Sequence, residues 1–417
     1  MAFWEGELDF TNLLMKILFA NKFFYLNGGS ETVFFQERNF LKEQGAEVID
    51  FSMQDERNLP SEFSDYFVPH VDYSGERRVT PKLKTAVAFI HSREGLKRLT
   101  RLMEKEKPQI AHLHNIYHQL TPSIIPLLKE KGAKVVLTLH DAKLVCPAYL
   151  MLNRGKICVQ CEGEKFYKAA TTRCQGSFGK GVLLAAEAYW HKWRKSYEYV
   201  DRFISPSKFL ADLVTTYRVP AGRIRVLKNG IDADDFVPGS EDGGYGLYFG
   251  RISPEKGVKT LLAAHAAMDS RIPLKIVGSG PLEENLKSCY PDAEFLGYKR
   301  GDELRSIVGN ASFVVVPSEC YENCSMTILE AMALARPVIG SRIGGIPEQV
   351  EDGVTGLLFE MGSAAELAEK MDQLWQNRSL RRLMGKAARS KLEREYSLKK
   401  HLDGLMRIYR ELLEGPA

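Results

Sequence analysis

Two carboxylates and two cations stand out by type and spacing. Glu322 and Glu330, with seven residues between them, lie in Pro317-Ser-Glu-Cys-Tyr-Glu-Asn-Cys-Ser-Met-Thr-Ile-Leu-Glu-Ala-Met, directly after the apolar run Phe313–Val316. A carboxylate accepts two hydroxyl bonds at once, so Glu322 suits a sugar and Glu330, inside the following helix, suits a ribose diol. A helix opening near Ser325 leaves free N–H groups that favour an anion. Arg251 and Lys256, in Gly250-Arg-Ile-Ser-Pro-Glu-Lys-Gly257, follow a second apolar run. Together they can neutralise a diphosphate, the arginine as a forked donor and the lysine as a point charge. Gly278-Ser-Gly280-Pro281 offers small residues that let backbone approach a ligand. Taken singly, each has an ordinary reading as a solvated loop or helix end.

The amino-terminal half offers a different set. His140-Asp141 ends the run Val135–Leu139, and His114-Asn115 ends Ile110–Leu113. Histidines there can orient sugar hydroxyls, and His140 with Asp141 can act as a general-base pair. Gly28 and Gly29 precede Ser30, an N-cap for a helix start open to phosphate. Of 7 cysteines, Cys146, Cys158, Cys161 and Cys174 share one excursion after Asp141, while Cys289, Cys320 and Cys324 are scattered. The two-residue gap between Cys158 and Cys161 lets both thiolates face one tetrahedral metal. The polar stretches Leu152–Lys156 and Glu162–Lys165 lack core periodicity, so a structural zinc would supply order that burial cannot. A single C-x-x-C is weaker than two, and reduced buried thiols are the plain alternative.

All these residues require strands that end where they stand. Strand–helix alternation begins at Met15, with strands expected at Lys16–Ala20, Gln109–Leu113 and Lys134–Leu139 and a helix over Ser30–Glu43. A second series is expected from Ile224–Leu227, through Gly246–Phe249, Leu274–Val277, Glu294–Leu296, Phe313–Val316 and Pro337–Gly340, to Gly356–Phe359. Helices fit between them, and Asn229–Pro238 with Gly239–Gly244 reads as a linker. The fold class is therefore α/β: two doubly wound, Rossmann-like domains facing a central cleft, where ligands meet the carboxyl ends of strands. Residues 1–225 with 397–417 would form the acceptor-side domain and residues 226–396 the nucleotide-sugar domain. The last helix, His401–Leu413, would cross back, and residues 1–14 read as an extension, since Met15-Lys-Ile-Leu resembles a start.

Composition removes whole classes. A chain of 417 residues holds two or three domains, and 44% apolar with 26% charged residues excludes disordered and fibrous proteins. A net charge of +4 is too small for a nucleic-acid binder. Seven cysteines make no disulfide framework, so a reducing cytoplasm is expected. Met1–Asp9 lacks the order of a signal peptide, and no apolar run is long enough for a transmembrane helix. Trp190-His-Lys-Trp-Arg-Lys195 mixes aromatic and basic side chains, which suits peripheral contact with the anionic inner face of the cell membrane. A helix with two buried tryptophans is the ordinary reading of that stretch.

Together these motifs resemble the family 4 glycosyltransferases of GT-B fold. The likeness is carried by Asn27-Gly-Gly-Ser-Glu, Leu137-Thr-Leu-His-Asp141, Phe203-Ile-Ser-Pro-Ser207, Leu227-Lys-Asn-Gly-Ile-Asp232, the Arg251–Lys256 and Gly278–Pro281 loops, and Glu322 with Glu330. Gly344-Gly-Ile-Pro-Glu348 and Asp352-Gly-Val-Thr-Gly-Leu-Leu358 complete it. The resemblance implies a retaining hexosyltransferase that moves a sugar from a nucleotide-diphosphate sugar, UDP favoured, to a hydroxyl of a glycan or lipid-linked glycan. Surface-polysaccharide or glycoconjugate synthesis is the implied use, with no cofactor needed at the chemical step. By that likeness Arg251 and Lys256 bind the donor diphosphate, Glu330 the ribose and Glu322 the donor sugar. Further donor contacts are expected at Gly28, Gly29, Gly250, Gly278, Gly280, Tyr298, Asn323, Cys324, Ser325 and Met326, and acceptor contacts at His114, Asn115 and His140. Asn323-Cys324-Ser325 replaces the bulky residue and glycine often found there, which leaves open which hydroxyls this loop reads. The residues alone also leave open inversion through His140 or Asp141, a same-fold nucleotide-sugar 2-epimerase, and an exported two-lobed sugar-binding protein. The missing signal peptide speaks against the last.

Overall fold

The computed structural model describes residues 15–71, 82–217, 219–239, 242–270 and 272–415, so the expectation for residues 1–14 lies outside the described residues. In chain order the strands are β1 Lys16–Ala20, β2 Glu47–Phe51, β3 Ile110–Leu113, β4 Lys134–Thr138, β5 Leu152–Asn153, β6 Lys156–Ile157, β7 Arg202–Ser205 and β8 Ile224–Val226. They continue as β9 Gly246–Phe249, β10 Leu274–Val277, β11 Ala293–Gly297, β12 Phe313–Val316, β13 Val338–Ser341 and β14 Gly356–Phe359. One sheet has the order β2-β1-β3-β4-β7-β8 and the other β11-β10-β9-β12-β13-β14. Neighbours in both are parallel. Strands such as β3 and β12 are buried along their whole length because helices cover both faces, and so they read as continuous apolar runs.

The run Ile224–Leu227, expected to open the second series, closes the first sheet instead. β8 pairs with β7 in the register Phe203↔Ile224, and the chain leaves the first sheet only after it. Hydrogen-bond register, not apolar content, assigns a strand to a sheet. β2 and β7 are absent from the sequence reading because both mix polar with apolar residues. Asp50 of β2 is buried, its charge met by a bidentate pair from Arg38 at 2.6 and 2.7 Å.

Two crossings between the domains lie side by side. Ile231 N–H donates to Tyr396 O and Leu398 N–H donates to Ile231 O, both at 3.0 Å. A Cβ on Gly230 would stand 2.7 Å from Leu398 Cα, so only glycine lets the two crossings touch. The helix Leu398–Glu414, capped by Ser397, then buries Leu405, Met406, Ile408 and Tyr409 against Ile17, Phe19 and Phe34 of the first domain.

The cysteine excursion corrects one expectation. Cys146, Met151, Ala169 and Cys174 belong to the first domain's core, so burial does order part of it. Of its polar stretches, Leu152–Lys156 falls in the antiparallel hairpin β5–β6, which turns at the surface, and Glu162–Glu164 forms a single short helical turn.

Candidate active site

The second sheet delivers its unusual residues as loops after β9, β10 and β12. The loops after β9 and β10 touch through backbone: Gly278 has φ 135°, and a Cβ there would stand 1.8 Å from Gly250 O. Gly257, at φ 67°, opens the helix Val258–Ala266 against Pro317 O, where a Cβ would stand 1.8 Å away. This packing brings Lys256 to Glu322, with Nζ 2.6 Å from Oε1. Ser318 Oγ donates to the same oxygen at 2.7 Å, which leaves Oε2 available to a hydroxyl. Burial works to raise the Glu322 carboxyl, but Lys256 and Ser318 outweigh it and hold it below the usual carboxylate range. Glu322 is therefore an ionised acceptor.

Glu330, on the helix Met326–Ala333, is treated oppositely. Burial pushes its carboxyl up to about 7, with Arg305 opposing only weakly. Ser325 caps that helix by backbone shape alone, without a side-chain hydrogen bond. The buried Gln349 takes up Ser325 N–H through Oε1 at 2.8 Å and returns Nε2–H to Ser325 O at 3.0 Å. Arg251 is exposed on the loop after β9, and Tyr298 is 70% exposed past the end of β11. Across the cleft, Gly29 opens the helix Gly29–Glu43, and a Cβ on it would meet Met326 Cγ at 3.0 Å.

Asn323, Ser207 and Glu348 form a clasp between the domains. Asn323 Nδ2 donates to Leu139 O at 2.8 Å, and Ser207 Oγ donates to Asn323 Oδ1 at 2.5 Å. Glu348 accepts the backbone N–H groups of Lys208 and Phe209 at 2.9 and 2.6 Å, capping a first-domain helix from the second domain. Gly345 N–H donates to Glu322 O at 2.7 Å, so the Gly344-Gly-Ile-Pro-Glu348 segment braces the Glu322 loop while reaching across. The residue that departs from the family pattern thus fixes the peptide just before His140.

The first sheet supplies His140 and Asp141 after β4. Their side chains do not pair with each other. His140 Nε2 lies 2.9 Å from His114 Nδ1, and Asp141 accepts from Tyr117 Oη. Burial drives the His140 imidazole down to about 3, which keeps it neutral, and burial raises the Asp141 carboxyl. His114 is 1% exposed and sits behind His140, with Nε2 3.4 Å from Glu37 Oε2; Asn115 is buried beside it. Glu37 also meets His401 of the returning helix at 2.9 Å. Glu37, His112 and His114 are, among the described residues, the group whose donor atoms all fall within 4.8 Å of one another. Both ring nitrogens of His112 are already engaged, by Tyr409 and Thr138, which makes this a structural knot.

Sequence reasoning passes over several neighbours of this site. Lys22, after β1, is lowered by burial and lies in the field of Asp141. Lys143 pairs with the buried Glu187 at 2.6 Å. Tyr149, from the cysteine excursion, stacks on Tyr117 at 6.1 Å and lies in the field of Arg251 across the cleft. The carboxyl ends of β1 and β4 mark Lys22 and Lys143 as candidates, but nothing local marks Tyr149.

Comparison with known proteins agrees with this geometry. A model described as Glycosyltransferase Family 4 matches residues 27–235, about half of the chain, and one described as Glycosyl transferases group 1 matches residues 244–377. An uncharacterised glycosyltransferase of Methanocaldococcus jannaschii is 29% identical over 317 residues, covering 75% of this chain and 78% of that protein. Sulfoquinovosyl transferase of Arabidopsis thaliana is 30% identical over 226 residues, covering 49% of this chain and 44% of the plant protein. Among solved structures, sucrose-phosphate synthase from Thermosynechococcus elongatus superposes with a TM-score of 0.73 at 20% identity, over 96% of this chain and 99% of that one. HepE of Anabaena in complex with UDP-glucose gives 0.67 at 16% identity, over 95% and 100%. Two parallel sheets facing a cleft, and a family match on each side of it, assign this chain to glycosyltransferase family 4, a transferase of GT-B fold.

Proposed function

We propose that this chain is a retaining glycosyltransferase that moves a hexose from a nucleotide-diphosphate sugar, with UDP as the preferred nucleotide, to an acceptor hydroxyl in surface-polysaccharide or glycoconjugate synthesis. The observation that carries the reading is the Lys256–Glu322 pair at the carboxyl ends of β9 and β12, opposite His140. In this reading Arg251, Lys256 and the free N–H groups of the helix Met326–Ala333 stabilise charge growing on the leaving diphosphate. Glu330 holds the ribose, and the free Oε2 of Glu322 accepts a donor-sugar hydroxyl. His140, neutral and hydrogen-bonded to His114, orients hydroxyls and is a weak base. Departure of the diphosphate from the face that the acceptor enters then lets a phosphate oxygen take the acceptor proton, which retains configuration. HepE, solved with UDP-glucose, supports UDP as the first nucleotide to try.

The test is a donor panel of UDP-, GDP- and ADP-sugars scored by thermal shift, followed by NMR of the product anomer with a glycan or lipid-linked acceptor. The expected result is a retained anomer. An inverted product overturns the retaining mechanism, and isomerisation of the donor without acceptor overturns the transferase reading.

The same reading places the enzyme at the cytoplasmic face of an anionic membrane. Among the described residues no helix is long and apolar enough to cross a bilayer. The helix Phe178–Trp193 instead exposes Phe178, Val182, Tyr189 and Trp193 along one face, with Trp193 71% exposed. Exposed Lys192, Arg194 and Lys195 flank that stripe. Trp193 is thus not one of two buried tryptophans. Flotation with phosphatidylcholine vesicles, with and without phosphatidylglycerol, should show binding that needs the anionic lipid and is lost in Trp193→Ser. Binding indifferent to lipid charge overturns the electrostatic part of the proposal.

A further inference from the structure

We propose that Cys146, Cys158, Cys161 and Cys174 form a structural zinc site that fastens the loop between the two domains. All four line one cavity, together with apolar side chains such as Val145, Met151 and Tyr217. They arrive from separate pieces of the excursion: the turn after Asp141, the irregular segment and turn that follow β6, and the short helix Cys174–Gly176. The other three cysteines lie in the second domain, with Cys289 exposed, and none lines this cavity. All four are free thiols in this fold. Convergence of every cysteine in a loop on one apolar cavity exceeds what ordinary buried thiols need, because each could pack as a small hydrophobe anywhere.

Zinc suits the donor set. Four thiolates select a tetrahedral thiophilic ion and complete its coordination, so Glu162, which also lines the cavity, is not needed as a ligand. No three of the sulfurs lie within the 4.8 Å spread that joins Glu37, His112 and His114. Loading zinc therefore draws the thiols together, and their protons pass to solvent as thiolates form. The contraction is local, because Cys146 and Cys174 are anchored in the core while Cys158 and Cys161 sit on the more exposed part beyond β6.

The site's position gives the metal a task remote from the chemistry. Tyr149 lies three residues after Cys146, and Tyr149 N–H donates to Cys146 O at 2.8 Å. Tyr149 stacks on Tyr117, which holds Asp141. Ile157, directly before Cys158, packs against the core of the second domain. A metal at the four thiols thus locks the loop that carries Tyr149 to the acceptor side and Ile157 to the opposing domain.

Elemental analysis of the full-length protein, purified without chelator and without added metal, should find about one zinc per chain. Cys161→Ser and Cys158→Ser should fall below about a tenth of that, while Cys289→Ser should retain it. Stripped wild-type protein reloaded with CoCl2 should develop thiolate-to-cobalt charge-transfer absorption, and its melting temperature should rise on addition of ZnCl2. The metal content of the wild type decides the matter whether or not the variants fold. Wild-type protein with less than about a tenth of a zinc per chain and four thiols reacting freely under native conditions overturns the site. So does iron in place of zinc, or an intact mass that shows disulfides.

Discussion

Glu322 and Glu330 stand eight positions apart, yet their surroundings set them to opposite protonation tendencies. Glu322 is ionised beside Lys256 and Ser318, whereas Glu330 has burial without a strong partner. If Glu322 serves the donor sugar, Glu322→Ala should lower turnover about a hundredfold while bare UDP binds nearly as before. Glu330→Gln should weaken UDP about tenfold, as loss of a hydrogen-bonded ribose contact implies. Equal losses of UDP affinity in the two variants would overturn this division. The pH dependence follows with a definite sign. A folded carboxyl at about 7, above its ordinary 4.5, binds a proton more tightly than the unfolded chain does. Its stabilising contribution is full below 4.5 and is lost as pH rises through about 7. A ribose diol prefers the ionised acceptor, so affinity for UDP-glucose, whose diphosphate does not titrate there, should rise about tenfold between pH 6 and 8. Calorimetric titration across that range should show the rise in the wild type and a flat profile in Glu330→Gln.

Helix ends and loops convert these residues into a site. Glu348 acts at this scale: it lies in the second domain but caps the helix Lys208–Tyr217 of the first, using both oxygens. Glu348→Ala should lower the melting temperature by about 2–4 °C, the effect of a lost cap in a chain of this size. Combined with Asn323→Ala, which removes the bonds to Leu139 and Ser207, it should release the clasp and enlarge the radius of gyration in small-angle scattering. An unchanged radius in the double variant would show that the clasp does not hold the cleft closed. The buried Glu37–His114–His140 row is another element-scale device, since it ties the returning helix to the ring that faces the cleft.

The whole molecule depends on its paired crossing. The segment around Gly230 leaves the first domain in contact with the segment that returns at Tyr396–Leu398, so one small residue governs both domains. Gly230→Ala would place a methyl 2.7 Å from Leu398 Cα and 2.9 Å from Ser397 O, with no flexible side-chain end able to give way. It should lower the melting temperature by more than about 5 °C and blunt its cooperativity. Gly222→Ala, with open space around it, serves as the control and should shift it by less than about 1 °C. Equal shifts would mean that the crossing tolerates separation.

The sequence by itself determined the architecture and which polar residues stand at the carboxyl ends of its strands. Runs such as Phe313–Val316 are apolar on both faces, which only a strand covered by helices on each side requires, and Gly, Arg, Lys and Glu directly after such runs mark the ends where ligands bind. Tertiary structure decided what depends on partners far along the chain. Sheet membership of Ile224–Val226 is set by pairing with Phe203, and the reach of Glu348 is set by domain apposition. His114 and Asp141 carry no local sign that one backs His140 while the other turns to Tyr117. The four cysteines were legible as a set, but their meeting at one cavity was not, because a loop without periodicity gives no rule for where its ends fold back. Local patterns report burial and turns, whereas pairing, clasping and electrostatic tuning arise between residues that the chain brings together only when folded.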